Sequence, residues 1–371
     1  MRARRVQRYT RVCANAGSPQ AAQDHRSFFR TEFDTLPDKV SIKNNKARKD
    51  MKTILLQAWT LAANTVLDII RQPVILLLTT TCVVLIGLLP STAVFAFGEE
   101  TRLVRDGALA LHLVFGLLVA GAAAAATIYT EIKRGTAATV LCKPVSRSLY
   151  FLSTYIGVLM VILLFCATVL LAGLLSVRMV LPGMQTDGRI EALFLTAMLI
   201  AFGYATAANF IFRRSFVSQA WVVLFPCLAA AFVTTAWLGP DGHVVRFGSL
   251  MAWPMVPAGI LVSLAVMVLA ALAVSLSTRL PPVLSTSACA VLFFLGLVSD
   301  YLFRSAAATS WWAELSYRLL PNWQDFWILD ALSGGGSIPW GYVAGAAGYA
   351  ALYAIAVLTL GLLSFRRVEI L

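Results

Sequence analysis

Charge is scarce in this chain. Only 13% of its 371 residues are Asp, Glu, Lys or Arg, where soluble domains carry about 25%. A chain that is 59% hydrophobic at this charge density cannot wet its whole surface, which excludes an ordinary water-soluble domain. Catalytic motifs are also missing. No GxxxxGK[ST] occurs, so the chain has no phosphate-binding P-loop of its own. There is no HExxH and no GxSxG, and only three histidines are present: His25, His112 and His243. His112 lies near the outer end of a span, where a lone His reads as interfacial. The six cysteines (Cys13, Cys82, Cys142, Cys166, Cys227 and Cys289) form no CxxC pair. Four of them fall in apolar runs and read as small fillers rather than a disulfide or metal framework. We expect no catalytic, cofactor or metal site. Carboxylates are absent from the middle of the apolar runs, which argues against a self-powered proton- or sodium-coupled carrier. Asn209 is the most notable polar residue inside a span, and helix–helix hydrogen bonding accounts for it.

What is present in quantity is long apolar runs. A spanning helix needs roughly 20 apolar residues, and eight runs qualify: 74–97, 108–130, 149–177, 191–212, 217–238, 257–278, 282–303 and 341–365. The expected fold class is an all-α polytopic membrane protein. A six-span alternative would merge or re-enter one pair within 191–303. Pro73 starts the first span. Before it, 51–72 carries Leu55, Trp59, Ala62, Val66, Ile69 and Ile70 at helical spacing, interrupted by Asn64, Asp68 and Arg71. That pattern predicts an amphipathic helix in the interface plane. An even span count puts both termini on one side, and Lys and Arg in short loops favour the cytoplasm. Beyond residue 50 they divide 11 inside to 7 outside.

The net charge of +12 sits mostly in the tail. Residues 1–50 hold 12 Lys+Arg against 5 Asp+Glu, so the basic balance gives no case for nucleic-acid binding. This tail has no apolar h-region and is not a secretory signal. We read it as a disordered cytoplasmic extension or as sequence upstream of a start at Met51. The acids Asp24, Glu32, Asp34 and Asp38 spoil a transit-peptide composition. The domains are therefore a polar tail, 1–50, and a membrane domain, 51–371.

Two loops stand out. The segment 131–147 is polar, lies between two long apolar runs and carries Lys133, Arg134, Lys143 and Arg147. Gly135 breaks the incoming helix, Thr136 can cap a new turn, and Pro144 stops it and restricts Lys143. A short helix across the mouth of a bundle suits partner docking, while the plainer reading is a basic loop that only fixes orientation. The outer segment 304–340 holds Trp311, Trp312, Trp323, Trp327 and Trp340, five of the nine tryptophans. Tryptophan favours the headgroup level. This loop reads either as an external gate built on Pro321, Asn322, Trp323 and Trp327, or as surface anchoring. Small residues at 121–126 and the Gly341-xxx-Gly345 pair permit close helix contact, within the chain or at a dimer seam. Packing within the chain is the simpler reading.

The pattern Glu131, Gly135-Thr136, Leu141, Pro144-Val145-Ser146-Arg147 resembles the first cytoplasmic loop of ABC type-2 permeases. Its nearest flavour is the branch with the nitrous-oxide-reductase maturation and gliding-motility permeases. Ser153-Thr154 stand where those relatives usually carry a Lys. The elbow helix with Asp68 and Arg71, the Pro321-Asn322 aromatic stretch and the Phe365-Arg366-Arg367 end are similar to that family as well. The resemblance implies the permease subunit of an ATP-binding-cassette transporter, an exporter by family habit, in a bacterial inner (plasma) membrane. It implies a separate cytoplasmic ABC ATPase that carries ATP and Mg and contacts Glu131, Lys133, Arg134, Gly135, Thr136, Leu141, Lys143, Pro144 and Arg147. It also implies a second permease chain. Two other readings stay open: an ATP-independent carrier and a membrane scaffold.

Overall fold

The structure is a computed structural model, and it describes residues 52–92, 98–133, 146–181, 185–239, 242–307, 311, 314, 320–332 and 336–367. The chain divides into two units, Met1–Gln57 and Ala58–Leu371. Of the first, residues 52–57 are described, and they are helical. The second is a helical bundle.

Each long apolar run is one helix, because a bilayer offers no water to backbone groups and a helix satisfies them internally. In chain order these are α1, Lys52–Ile70, α2, Pro73–Thr92, and α3. The last of these runs as α-helix over Glu100–Ala124, widens to a π turn at Ala125–Tyr129 and closes with Thr130–Lys133. Then come α4, Arg147–Met179, α5, Gly188–Phe212, and α6, Phe216–Trp237. The series ends with α7, Met255–Leu276, α8, Pro282–Ala307, and α9, Trp340–Arg366. Among the described residues, nine helices are long and apolar enough to cross a membrane. The protein is an all-α, multi-pass membrane protein. The eight expected spans appear as the eight separate helices α2–α9. Helices α5, α6, α7 and α8 are distinct, so no pair within 191–303 is merged into one helix.

The core is built by α3, α4 and α7, the three most buried helices. Lipid tails are as apolar as leucine, so helix contact rests on close packing and on hydrogen bonds between helices. Both are visible. A Cβ on Gly157 of α4 would lie 2.8 Å from the Ala62 carbonyl oxygen of α1. The Ser176 hydroxyl of α4 donates to the Ile86 carbonyl of α2 at 2.6 Å, and Trp221 Nε1 of α6 donates to Thr79 Oγ1 of α2 at 3.2 Å. The expected interface stripe of α1 is only partly a packing stripe. Ala62, Ile69 and Ile70 are buried, Trp59 is exposed, and Asp68 and Arg71 face outward.

Three details depart from the sequence reading. Helix α3 starts at Glu100 rather than 108, because hydropathy marks only the part inside lipid. Its first turns are held by Arg102 paired with Glu99 and Asp106, each at 3.7 Å, and by Arg105 with Asp106 at 2.9 Å. That early start carries His112 three turns into the helix. It is buried, not interfacial, and packs edge-on against Phe165 of α4 at 6.1 Å. Asn209 faces outward with no described hydrogen bond, so it does not join helices. A short hairpin pairing Val180–Leu181 with Gln185–Thr186 follows α4 and had no strand-length signal. Asp187 then caps α5 by accepting from Arg189 N.

The two small-residue segments behave differently. Gly121 meets Thr286 of α8, with a Cβ placed 2.6 Å from Thr286 Cγ2, as expected for packing within the chain. Gly341 and Gly345 are exposed and a Cβ on either would meet nothing within 4 Å. Packing within the chain does not explain that pair.

Helix α5 connects the hairpin to the turn at Arg213–Ser215, so these lie at opposite ends of the bundle. In a cysteine-free background, Thr186→Cys and Ser215→Cys should react with a membrane-impermeant maleimide from opposite faces of sealed vesicles. Labelling of both from the same face would contradict a spanning α5.

Candidate functional site

The best-defined polar cluster lies where the start of α4 meets the ends of α7 and α9. Ser146 makes this start possible. Its backbone is extended, and its hydroxyl accepts from Leu149 N at 3.2 Å, so it caps α4. Arg147 is therefore the first residue of the helix, and its Nη1 donates to the Arg366 carbonyl at 3.1 Å. Arg366 returns the contact by donating from Nη2 to Ser148 Oγ at 2.9 Å. Helix ends leave carbonyls unpaired, so an arginine from a neighbouring helix is a suitable partner there. From α7 the chain continues into Thr278 and Arg279. Arg279 donates from Nε to Ser364 Oγ at 3.0 Å and from Nη2 to the Ser364 carbonyl at 3.4 Å.

Beneath this polar layer sits an aromatic wedge. Phe365 is fully buried, and its ring lies 5.9 Å from both Tyr150, stacked, and Phe151, tilted. Gly361, one turn earlier, lets α9 close on its neighbours. A Cβ there would be 2.5 Å from Ser275 Oγ and 3.0 Å from Phe151 Cζ. So α4, α7 and α9 are locked together at the end where Arg147 emerges.

Of the loop residues singled out by sequence, Arg134, Gly135, Thr136, Leu141, Lys143 and Pro144 lie outside the described residues. The expected short helix after Thr136 lies there too. Glu131 and Lys133 belong to the last turn of α3, just past the π turn, and Lys133 is exposed. Arg147 is described and is tied to α9. Its partner, the Arg366 carbonyl, was not singled out, and neither were Ser148, Arg279 and Ser364, which complete the polar layer around it. The Phe365-Arg366-Arg367 end reads as a surface anchor in sequence, and nothing local says that Phe365 turns inward.

At the opposite end the tryptophans divide. Trp311 and Trp340 are exposed, as headgroup anchors would be. Trp323 is only 2% exposed and sits in a 3-10 turn, Trp323–Phe326, capped by Asn322 Oδ1 accepting from Gln324 N. Its ring packs on Phe293 at 5.6 Å, and Phe326 continues to Tyr349 at 5.9 Å. A Cβ on Gly296 would come 2.6 Å from the Pro321 carbonyl oxygen, so α8 admits this turn only through a glycine. Asn322 N donates to the Tyr349 hydroxyl, and Tyr342 donates its hydroxyl to the Asp325 carbonyl. Arg105 of α3 donates to the Leu332 carbonyl at 3.1 Å. Trp327 is half-buried beside this cluster. Surface anchoring therefore does not describe Trp323, which is packed inside the bundle end.

No group of three or more His, Cys, Asp or Glu side chains among the described residues could hold a metal. No family model and no curated protein compared with the chain matches it.

Phe365→Ala should lower stability by about 3–5 kcal/mol, the usual range for emptying a buried aromatic site. Arg147→Gln should cost only about 1 kcal/mol, the usual worth of a hydrogen bond such as the one to Arg366 on an exposed rim. Thermal unfolding in a mild detergent checks both, and equal losses would contradict the wedge. Trp323→Ala should also cost about 3–5 kcal/mol, while Trp311→Ala should leave the transition unchanged.

Proposed function

We propose that the chain is the membrane-spanning permease subunit of an ATP-binding-cassette transporter of the ABC type-2 family, working as an exporter. A separate ATPase docks on the 131–147 loop. The single observation that carries the reading is how the flanks of that loop are held. On one side α3 reaches it through a π turn, a local irregularity frequent at functional positions. On the other side Arg147 begins α4 while bonded to the end of α9. A partner that moves the loop would therefore act on α3, α4 and α9 together. ATP-driven closure of two ATPase subunits shifts the bundle only if the ATPase binds one of its conformations better than the other.

The remaining parts of this reading follow from it. Helix α1, with the lowest mean hydropathy of the nine candidates at 1.4, is the elbow in the interface, with Asp68 and Arg71 on its outer face. Both termini are then cytoplasmic, with Arg213, Arg214, Arg279 and Arg366 on the same side, in agreement with the positive-inside bias. The membrane is a bacterial inner membrane. Gly341 and Gly345, open on the outer face of α9, suit contact with a second permease chain.

A proton-coupled carrier is favoured by one specific feature. His112 is buried mid-bundle with neither ring nitrogen hydrogen-bonded in the described structure, and buried ionisable groups in spans often mark proton pathways.

Purification in mild detergent, for wild type and for Glu131→Ala combined with Arg147→Ala, separates the readings. The expected result is an ATPase bearing a P-loop that accompanies wild type and is lost with the double variant. Absence of any such ATPase across several mild detergents overturns the proposal. In that case transport by proteoliposomes under a pH gradient, abolished by His112→Gln, would support the carrier.

A further inference from the structure

A cleft of about 510 Å³ runs along the seam of α7 and α9 at the end where Arg279 lies. This is within the roughly 300–1,000 Å³ of ordinary ligand sites. Leu272, Leu276, Tyr353, Val357 and Leu360 line its length. Gly361 sets its depth by letting Ser275 approach.

The cleft offers little to water. The Ser275 hydroxyl is already used on the Val357 carbonyl at 3.1 Å, and Thr278 Oγ1 on Ser364 Oγ at 3.3 Å. A dry apolar slot has too few polar partners to hold water. Both walls are membrane-spanning helices, so what reaches the slot is a lipid chain.

The mouth is cationic. Arg279 is exposed, and its described hydrogen bonds go only to neutral oxygens of Ser364, which leaves further N–H groups on its fork. The ion pairs resolved among the described residues are those of Arg102 and Arg105, at the opposite end of the bundle. The guanidinium geometry matches phosphate oxygens, and basic pockets between membrane helices hold anionic headgroups.

We propose that this cleft binds one anionic phospholipid. Its acyl chain lies between Leu272, Leu276, Tyr353 and Leu360, and its phosphate rests on Arg279. The bound chain fills the seam between α7 and α9. It does so independently of any ATPase, so the site is separate from transport.

Native mass spectrometry of the full-length protein tests this. The protein is released from detergent and titrated with phosphatidylglycerol, with phosphatidylcholine of the same chains, and with inorganic phosphate. Wild type should retain one phosphatidylglycerol in preference to phosphatidylcholine. Arg279→Gln should weaken retention about tenfold, the loss of charge-assisted hydrogen bonds. Ala356→Trp, at the exposed lip of the cleft, should also lose the lipid while leaving the core intact. Arg213→Gln with Arg214→Gln, basic residues away from the cleft, should bind as wild type. Equal retention of phosphatidylcholine overturns the headgroup assignment. Inorganic phosphate held as well as the lipid overturns the acyl slot. Unchanged binding in Ala356→Trp overturns the location, whatever Arg279→Gln does to folding.

Discussion

Inside a bilayer a backbone N–H or C=O that lacks a partner costs several kcal/mol, and water cannot supply one. Everything in this molecule follows from that constraint. It turns each apolar run into a single helix. It leaves the ends of those helices as the places where polar chemistry can gather. It also removes the hydrophobic effect as a force between helices, so cohesion has to come from close contact and hydrogen bonds. Gly121 beside Thr286, Gly157 beside Thr65 and Gly361 beside Ser275 are the points where the helices close. Ser176 and Trp221 add hydrogen bonds between them.

The two ends of the bundle use this freedom differently. At one end, arginines from α4, α9 and the segment after α7 satisfy hydroxyls and helix-terminal carbonyls above the Phe365 wedge. At the other, a 3-10 turn carries Trp323 inward onto Phe293, and Arg105 ties the following turn to α3. The first arrangement joins helices through their ends. The second packs an aromatic side chain inside the bundle end.

Much of the fold was legible in the sequence, because hydropathy over about 20 residues reports directly on spanning helices. All eight expected runs are separate helices, and Pro73 opens α2 as expected. Hydropathy fails where a helix leaves the lipid. Glu100, Arg102, Arg105 and Asp106 are helical residues with loop-like composition, and their ion pairs hold them in the helix. That one misplaced boundary also misplaced His112. Of the candidate coupling residues, Arg147 was singled out from its motif and is described at the start of α4. Its partners on α9 were not singled out, since they lie more than 200 positions away in the chain.

By itself the sequence determined that this is a helical membrane protein, how many runs can span, and which turns are basic. Those properties depend on local composition and on the bilayer. Which helices touch, which tryptophan turns inward and which glycines stay open were decided by tertiary structure alone. An apolar side chain gains about as much facing lipid as facing a neighbouring helix. Composition cannot distinguish the two faces, and only shape complementarity between particular helices does.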